Sequence, residues 1–64
     1  MNMFDVVALK KDLPNEGLVA GARGAVVEVY LEPEVAYEVE FSDADGNTVA
    51  QLALTEDMLE KVDE

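Results

Sequence analysis

The amino-acid sequence predicts an all-β domain, a small sandwich or barrel, and two observations support this. Turn signals recur at short intervals: "DLPNEG" (12–17), "AGARG" (20–24), "LEPE" (31–34) and "SDADGN" (42–47). Between them lie short runs rich in valine, leucine and aromatic residues, as is typical of all-β folds. Half of the 64 residues are hydrophobic, which is too many for an acidic disordered tail. We therefore expect residues 1–64 to fold as a single domain.

Strands are predicted near 4–10, 24–31, 36–42 and 47–54, and the third of them has the clearest pattern. Its apolar residues Tyr37, Val39 and Phe41 alternate with Glu38 and Glu40. Because successive side chains of a strand point to opposite sides, one face of this strand is apolar and the other is charged.

The second strand is less regular, since Val26, Val27 and Val29 cannot all point to the same side without a bulge. A five-residue connection at 32–36 keeps the apolar faces matched. It sets Val27, Val29 and Leu31 across from Phe41, Val39 and Tyr37. The same register places Glu28 directly opposite Glu40, an arrangement that destabilises a sheet by up to about 1 kcal/mol.

After the fourth strand, Thr55 followed by two acidic residues indicates the N-cap of a short helical turn at 55–60. Met58 and Leu59 of this turn are expected to cover an open end of the barrel, and a last short strand is expected around Val62. The predicted core comprises Val7, Leu9, Leu18, Val27, Val29, Tyr37, Val39, Phe41, Leu52 and Leu54.

The segment "DADGN" (43–47) admits two interpretations. Its Asp-Gly pair at 45–46 lies between two strands and predicts a hairpin turn, because glycine readily adopts the positive φ of such turns. Calcium-binding EF-hand loops need glycine at position six and glutamate at position twelve. Neither possible starting residue satisfies that spacing, so a hairpin turn is the better interpretation.

Catalytic and cofactor chemistry is poorly supported. The chain has no cysteine and no histidine, which excludes disulfides, the nucleophilic triads that need these residues and the usual zinc ligands. A pair of catalytic carboxylates needs a cleft, whereas a barrel of this length has its interior filled by side chains. We predict no enzymatic activity, no metal and no cofactor.

The charge balance favours one class of partner. The chain has fifteen acidic residues and only four basic ones, so its net charge is -11. The basic residues are Lys10, Lys11, Arg23 and Lys61. Such a surface repels nucleic-acid phosphates and anionic membranes, and it attracts a basic protein. The alternative is that the acidity only keeps a small domain soluble. No apolar run is long enough to span a membrane, and no basic leader precedes the first apolar run, so a cytoplasmic location is expected.

Two segments of the chain resemble a known family. "DVVALKKDLPNEGLVAGARGAVVEVY" and "YEVEFSDADGNTVAQLAL" are similar to the small bacterial proteins of domain of unknown function 4926. The resemblance covers residues 5 to about 60 and implies a small five-stranded SH3-like, partly open barrel with a short helical turn near the C-terminus. In layout the family is similar to ribosomal KOW barrels, whose Gly-x-Val core positions correspond here to Gly24, Val26 and Val29.

KOW barrels bind RNA or ribosomal proteins through basic loops, and this sequence departs from that pattern. Its loops carry carboxylates at Asp12, Glu16, Glu32, Glu34, Asp43 and Asp45. No nucleic-acid partner is therefore predicted, although an RNA- or ribosome-associated barrel stays an alternative. Size and charge together suggest a small accessory protein, such as the antitoxin-like neutralising half of a two-protein system.

The predicted functional surface is a protein-binding face formed by Glu28, Tyr30, Glu38 and Glu40. These residues are expected on the solvent side of the second and third strands, where an aromatic ring would lie among carboxylates and meet a basic partner. A structural, oligomerising domain is a further alternative, because edge strands of the barrel are expected to be open. The sequence does not determine the oligomeric state.

Overall fold

The computed structural model describes residues 1–63, so Glu64, the last residue of the predicted domain, lies outside the described part. Five antiparallel strands form one sheet that does not close on itself. They are β1 (Val6–Leu9), β2 (Arg23–Tyr30), β3 (Ala36–Ser42), β4 (Thr48–Leu54) and β5 (Leu59–Lys61). Two short 3₁₀ turns, Pro14–Glu16 and Glu56–Met58, are the helical elements among the described residues. The predicted all-β, five-stranded, partly open SH3-like architecture is confirmed.

The strand order is β4-β3-β2-β1-β5, which places β2 in the centre. β2 is the longest strand, and it pairs with β1 through Arg23–Ala25 and with β3 from Gly24 to Tyr30. A bulge between Val26 and Glu28 interrupts the β2–β3 pairing. The extra residue, Val27, bends the strand. The predicted alternation, with Val27 and Val29 on one face, did not include this bulge.

Between the bulge and the β2–β3 loop, the register differs from the predicted one by two residues. Val29 faces Tyr37, and Glu28 faces Glu38 rather than Glu40. The connection is still five residues long, but it covers 31–35 instead of 32–36. Between the bulge and the β2–β3 loop, a shift of two leaves each side chain on the same face. The alternation of apolar residues could not distinguish the two registers for this reason.

One buried cluster lies on the inner face of the sheet, and it contains most of the predicted core. Its members are Val7, Leu9, Leu18, Val26, Tyr37, Val39, Phe41, Leu54 and Leu59. Val29 and Leu52 are partly buried and pack against the cluster. Val27 was wrongly assigned to the core: the bulge turns Val26 inward, and Val26 is fully buried while Val27 is half-buried.

At Gly24 the backbone of β2 lies close against β3. A Cβ atom at this position would come within 2.7 Å of the Glu40 carbonyl oxygen and of Val39 Cγ1, and within 2.9 Å of Phe41 Cδ1. Any larger residue would push the two strands apart. Close packing of the two strands therefore accounts for this glycine.

The predicted hairpin turn at Asp45–Gly46 is confirmed, with a φ of 84° at Gly46. The side chain of Asp43 organises the loop, because its Oδ1 accepts hydrogen bonds from the backbone amides of Asp45 and Asn47, both at 2.9 Å. Backbone hydrogen bonds from Asp43 to Asn47 and from Gly46 to Asp43 complete the turn.

The C-terminal 3₁₀ turn, Glu56–Met58, begins after Thr55, as predicted, but Thr55 makes no side-chain cap. Its hydroxyl donates instead to the carboxylate of Asp57. That hydrogen bond is the main cause that lowers the pKa of Asp57, and Lys11 and Lys10 add a smaller attraction. Leu59 is buried in the core and Met58 packs against it. No helix in residues 1–63 is long and apolar enough to cross a membrane.

Candidate protein-binding face

The four residues predicted as a binding surface lie on the outer side of β2 and β3, opposite the core. We call Glu28, Tyr30, Glu38 and Glu40 the acidic face. Glu28 and Glu38 are direct cross-strand partners, and Glu40 follows two residues along β3. Glu28 is exposed, Glu38 and Glu40 are half-exposed, and Tyr30 retains 41% of its accessible surface. The sheet therefore gathers these side chains on one solvent-facing surface.

Glu38 is the most constrained carboxylate of the acidic face. Its Oε1 accepts a hydrogen bond of 3.4 Å from the Tyr30 hydroxyl, and its Oε2 accepts one of 3.2 Å from Nε2 of Gln51 on β4. Donors on both neighbouring strands thus hold one carboxylate in place. Gln51 was not singled out by the sequence. The sequence does contain one indication of its role, because Gln51 is the one long polar side chain in a strand of otherwise small or apolar residues.

The pKa of the Tyr30 hydroxyl is affected by the charges of this surface. Its pKa is raised above the ordinary value of 10.0, first by partial desolvation of the phenol at the sheet surface. The charge of Glu38, its hydrogen bond with the phenol and the charge of Glu28 act in the same direction. Tyr30 therefore stays a neutral donor whose aromatic ring is open to a partner.

Exposed apolar residues continue from Tyr30 into the β2–β3 loop. Leu31 is 72% exposed and Val35 is 48% exposed, and they lie at the two ends of the loop that joins Tyr30 to Ala36. We call Tyr30, Leu31 and Val35 the apolar rim. Acidic and apolar groups thus adjoin, which gives the surface both a charge to attract a partner and apolar area to bury.

Near the other end of the acidic face, Glu40 borders a shallow depression of about 230 Å³. Val6, Gly24 and Ala25 line it together with Arg23, Ser42 and Glu40. Glu40 is the direct cross-strand partner of Ala25, so its carboxylate lies beside small apolar residues. The depression has room for the aliphatic part of a partner side chain, with one carboxylate and one guanidinium at its border.

The lysines lie elsewhere, together with carboxylates. A second depression, of about 470 Å³, contains Lys10 and Lys61 together with Glu56, Asp57 and Glu60. Lys11 also lies close enough to Asp57 to act on its pKa. Neither depression is thus lined by cations alone. Within the described residues, no group of three or more possible ligands could hold a metal ion.

The charge is distributed unevenly along the chain. Residues 24–54, which contain nearly all of β2 and the whole of β3 and β4, have no lysine or arginine. Their carboxylates are Glu28, Glu32, Glu34, Glu38, Glu40, Asp43 and Asp45. The acidic face and its two adjoining loops therefore contribute only negative charges, and the nearest cation that lines a depression with them is Arg23, beside Glu40.

Comparison with known proteins identifies the family. No curated protein and no solved structure matches the chain. The model of the family described as "Domain of unknown function (DUF4926)" matches residues 3–61 of the 64. The match spans all five strands, including the acidic face and the apolar rim. The chain therefore belongs to the domain of unknown function 4926 family, as the resemblance of its sequence motifs indicated.

Proposed function

We propose that this protein is a non-enzymatic, cytoplasmic protein-binding module that presents its acidic face to a basic protein partner. The observation that supports this most strongly is the fixed carboxylate of Glu38, which lies between Tyr30 and Gln51 and opposite Glu28. Two like charges in direct opposition are unfavourable in the free protein. A lysine or arginine of a partner that docks between them would relieve this repulsion.

The apolar rim adds a source of affinity that charge alone does not provide. Electrostatic attraction mainly speeds association and aligns the partners, whereas buried aromatic and aliphatic side chains contribute most of the binding energy. Tyr30 belongs to both the acidic face and the apolar rim, because its ring is exposed and its hydroxyl donates a hydrogen bond to Glu38. We expect Tyr30 to lie near the centre of the interface.

An antitoxin-like role is the specific form of this proposal. A small acidic protein neutralises a basic partner when it covers the cationic surface that the partner uses on its own target. The uniform negative charge of residues 24–54 fits that task. An RNA-binding role fits less well, because Lys10 and Lys61 share their depression with three carboxylates and Arg23 shares its own with Glu40.

Affinity capture with the tagged chain as bait tests the proposal. Captured proteins are identified by mass spectrometry at low and at moderate salt. A basic partner that is retained at low salt, released as salt rises and lost with Glu38→Lys would support the acidic face. The matched control is Glu16→Lys, which makes the same change in net charge at an exposed position of the first 3₁₀ turn. If both variants lose the partner equally, binding depends only on net charge, and the acidic face is not the binding site.

A further inference from the structure

β4 is an exposed edge of the sheet. It is the last strand in the order β4-β3-β2-β1-β5, and among the strands it pairs only with β3. Alternate residues of an edge strand direct their backbone N–H and C=O groups away from the sheet. Within residues 1–63, no other strand is hydrogen-bonded to that side of β4. Its seven residues therefore offer a row of backbone donors and acceptors to another chain.

The β4 edge lacks the usual protection against such pairing. Proteins normally guard an edge strand with charged side chains, proline or a very short length. The sequence of β4, "TVAQLAL", has no charge and no proline, and Val49 is 54% exposed. The opposite edge, β5, is three residues long and carries Glu60 and Lys61. One edge of the sheet is thus protected while the other is open.

Resting on the proposed function, we infer that the β4 edge accepts an extended segment of the basic partner as a sixth strand. Charge complementarity selects this occupant. Glu38 and Glu40 lie on the next strand, β3, and Asp43 and Asp45 lie in the loop before β4. A strand added to β4 would lie about 10 Å from β3, because adjacent strands are about 4.8 Å apart. Lysine or arginine side chains on its outer face can reach across β4 toward these carboxylates.

The same charges disfavour a second copy of the chain at this edge. Pairing of β4 with β4 would join two proteins of net charge -11 and bring the β3 carboxylates of both copies toward each other. Such like-charge juxtaposition suppresses association. A basic strand gains both the backbone hydrogen bonds and the electrostatic attraction.

Hydrogen–deuterium exchange with three synthetic peptides tests this inference. The first alternates lysine with valine, the second alternates glutamate with valine, and the third repeats the first with N-methylated backbone amides. The lysine peptide should bind and slow the exchange of β4 amides, with little effect on β5. The methylated peptide keeps the charge but cannot donate backbone hydrogen bonds, so we expect its affinity to fall about tenfold or more. The glutamate peptide should not bind.

The other outcomes separate this inference from the proposed function. Equal affinity of the lysine peptide and its methylated form, without protection of β4, would overturn strand addition and leave the acidic face as a charge-based docking surface. Absence of binding by both lysine peptides would overturn strand addition and the basic-partner proposal together. A stable dimer with protected β4 amides in the absence of peptide would assign the edge to a second copy and overturn the inference.

Discussion

Glu28 of β2 and Glu38 of β3 are direct cross-strand partners on the outer face of the sheet. Glu38 is also fixed by hydrogen bonds from Tyr30 and Gln51, so it cannot turn away without losing two donors. The fold therefore sets two glutamates directly across from each other and fixes the carboxylate of one of them. This opposition has separable consequences for stability, for the titration of Tyr30 and for partner binding.

Removal of one charge of the pair should stabilise the free protein. In Glu28→Gln the hydrogen bonds to Glu38 are kept and the like-charge opposition is lost. We expect the free energy of unfolding at low salt to rise by up to about 1 kcal/mol, as measured by urea denaturation. Glu34→Gln, in the exposed β2–β3 loop, removes the same charge without a cross-strand partner and serves as control. An equal gain in both variants would show that only net charge matters.

The phenol of Tyr30 should titrate above its ordinary pKa of 10.0. Because the folded state holds this proton more tightly than the unfolded state, the associated stabilisation is complete below pH 10 and is lost as the pH rises through the folded pKa. Ultraviolet difference titration measures the phenol, and subtraction of the Tyr30→Phe curve assigns it. Glu38→Gln should bring the pKa back toward 10. A Tyr30 titration that is insensitive to Glu38→Gln would contradict the contact.

The sequence predicted the fold and the acidic face because both depend on strict two-residue alternation. Tyr37, Val39 and Phe41 point inward, so Glu38 and Glu40 must point outward whichever residue of β2 lies opposite. The register depends on where the β2–β3 loop begins, and a shift of two residues leaves both faces unchanged. The partner of Glu28 was predicted wrongly for this reason.

Contacts that arise only after the chain has folded could not be derived from alternation. Val27 lies outside the core because the bulge falls at one of three similar valines, and the sequence does not distinguish among them. The hydrogen bond from Gln51 to Glu38 depends on two strands separated by a loop. The open β4 edge follows from strand order, which a one-dimensional pattern does not contain.

Gly24→Ala should strongly destabilise the fold. The added Cβ would meet a backbone oxygen at 2.7 Å and two core side chains, and over-packing of this kind costs about 3 kcal/mol. Gly21→Ala is the control, because its Cβ would have no neighbour within 4 Å and only its positive φ of 91° is unfavourable, a cost of about 1 kcal/mol. Denaturation curves should therefore show the larger loss for Gly24→Ala. Similar losses would contradict the close approach of β2 and β3.

Added sodium chloride should raise the melting temperature. A net charge of -11 on 64 residues produces self-repulsion that salt screens within about 10 Å at 0.1 M. A double variant, Glu32→Gln with Glu34→Gln, removes two charges from the negative region and should respond less to salt. A melting temperature that does not depend on salt in the unmodified chain would contradict this account.

The β3–β4 turn should depend on the side chain of Asp43 and not on that of Asp45. Asp43→Ala removes an acceptor shared by the amides of Asp45 and Asn47, and hydrogen bonds of this kind contribute about 1 kcal/mol each. We expect a loss of about 1–2 kcal/mol in urea denaturation. Asp45→Ala removes the same charge from the same loop without removing either hydrogen bond, so it should be close to neutral. The difference between the two variants isolates the hydrogen bonds from the charge. A smaller loss in Asp43→Ala than in Asp45→Ala would mean that the loop is not organised by Asp43, and the start of the open β4 edge would then be less fixed than the hydrogen bonds indicate.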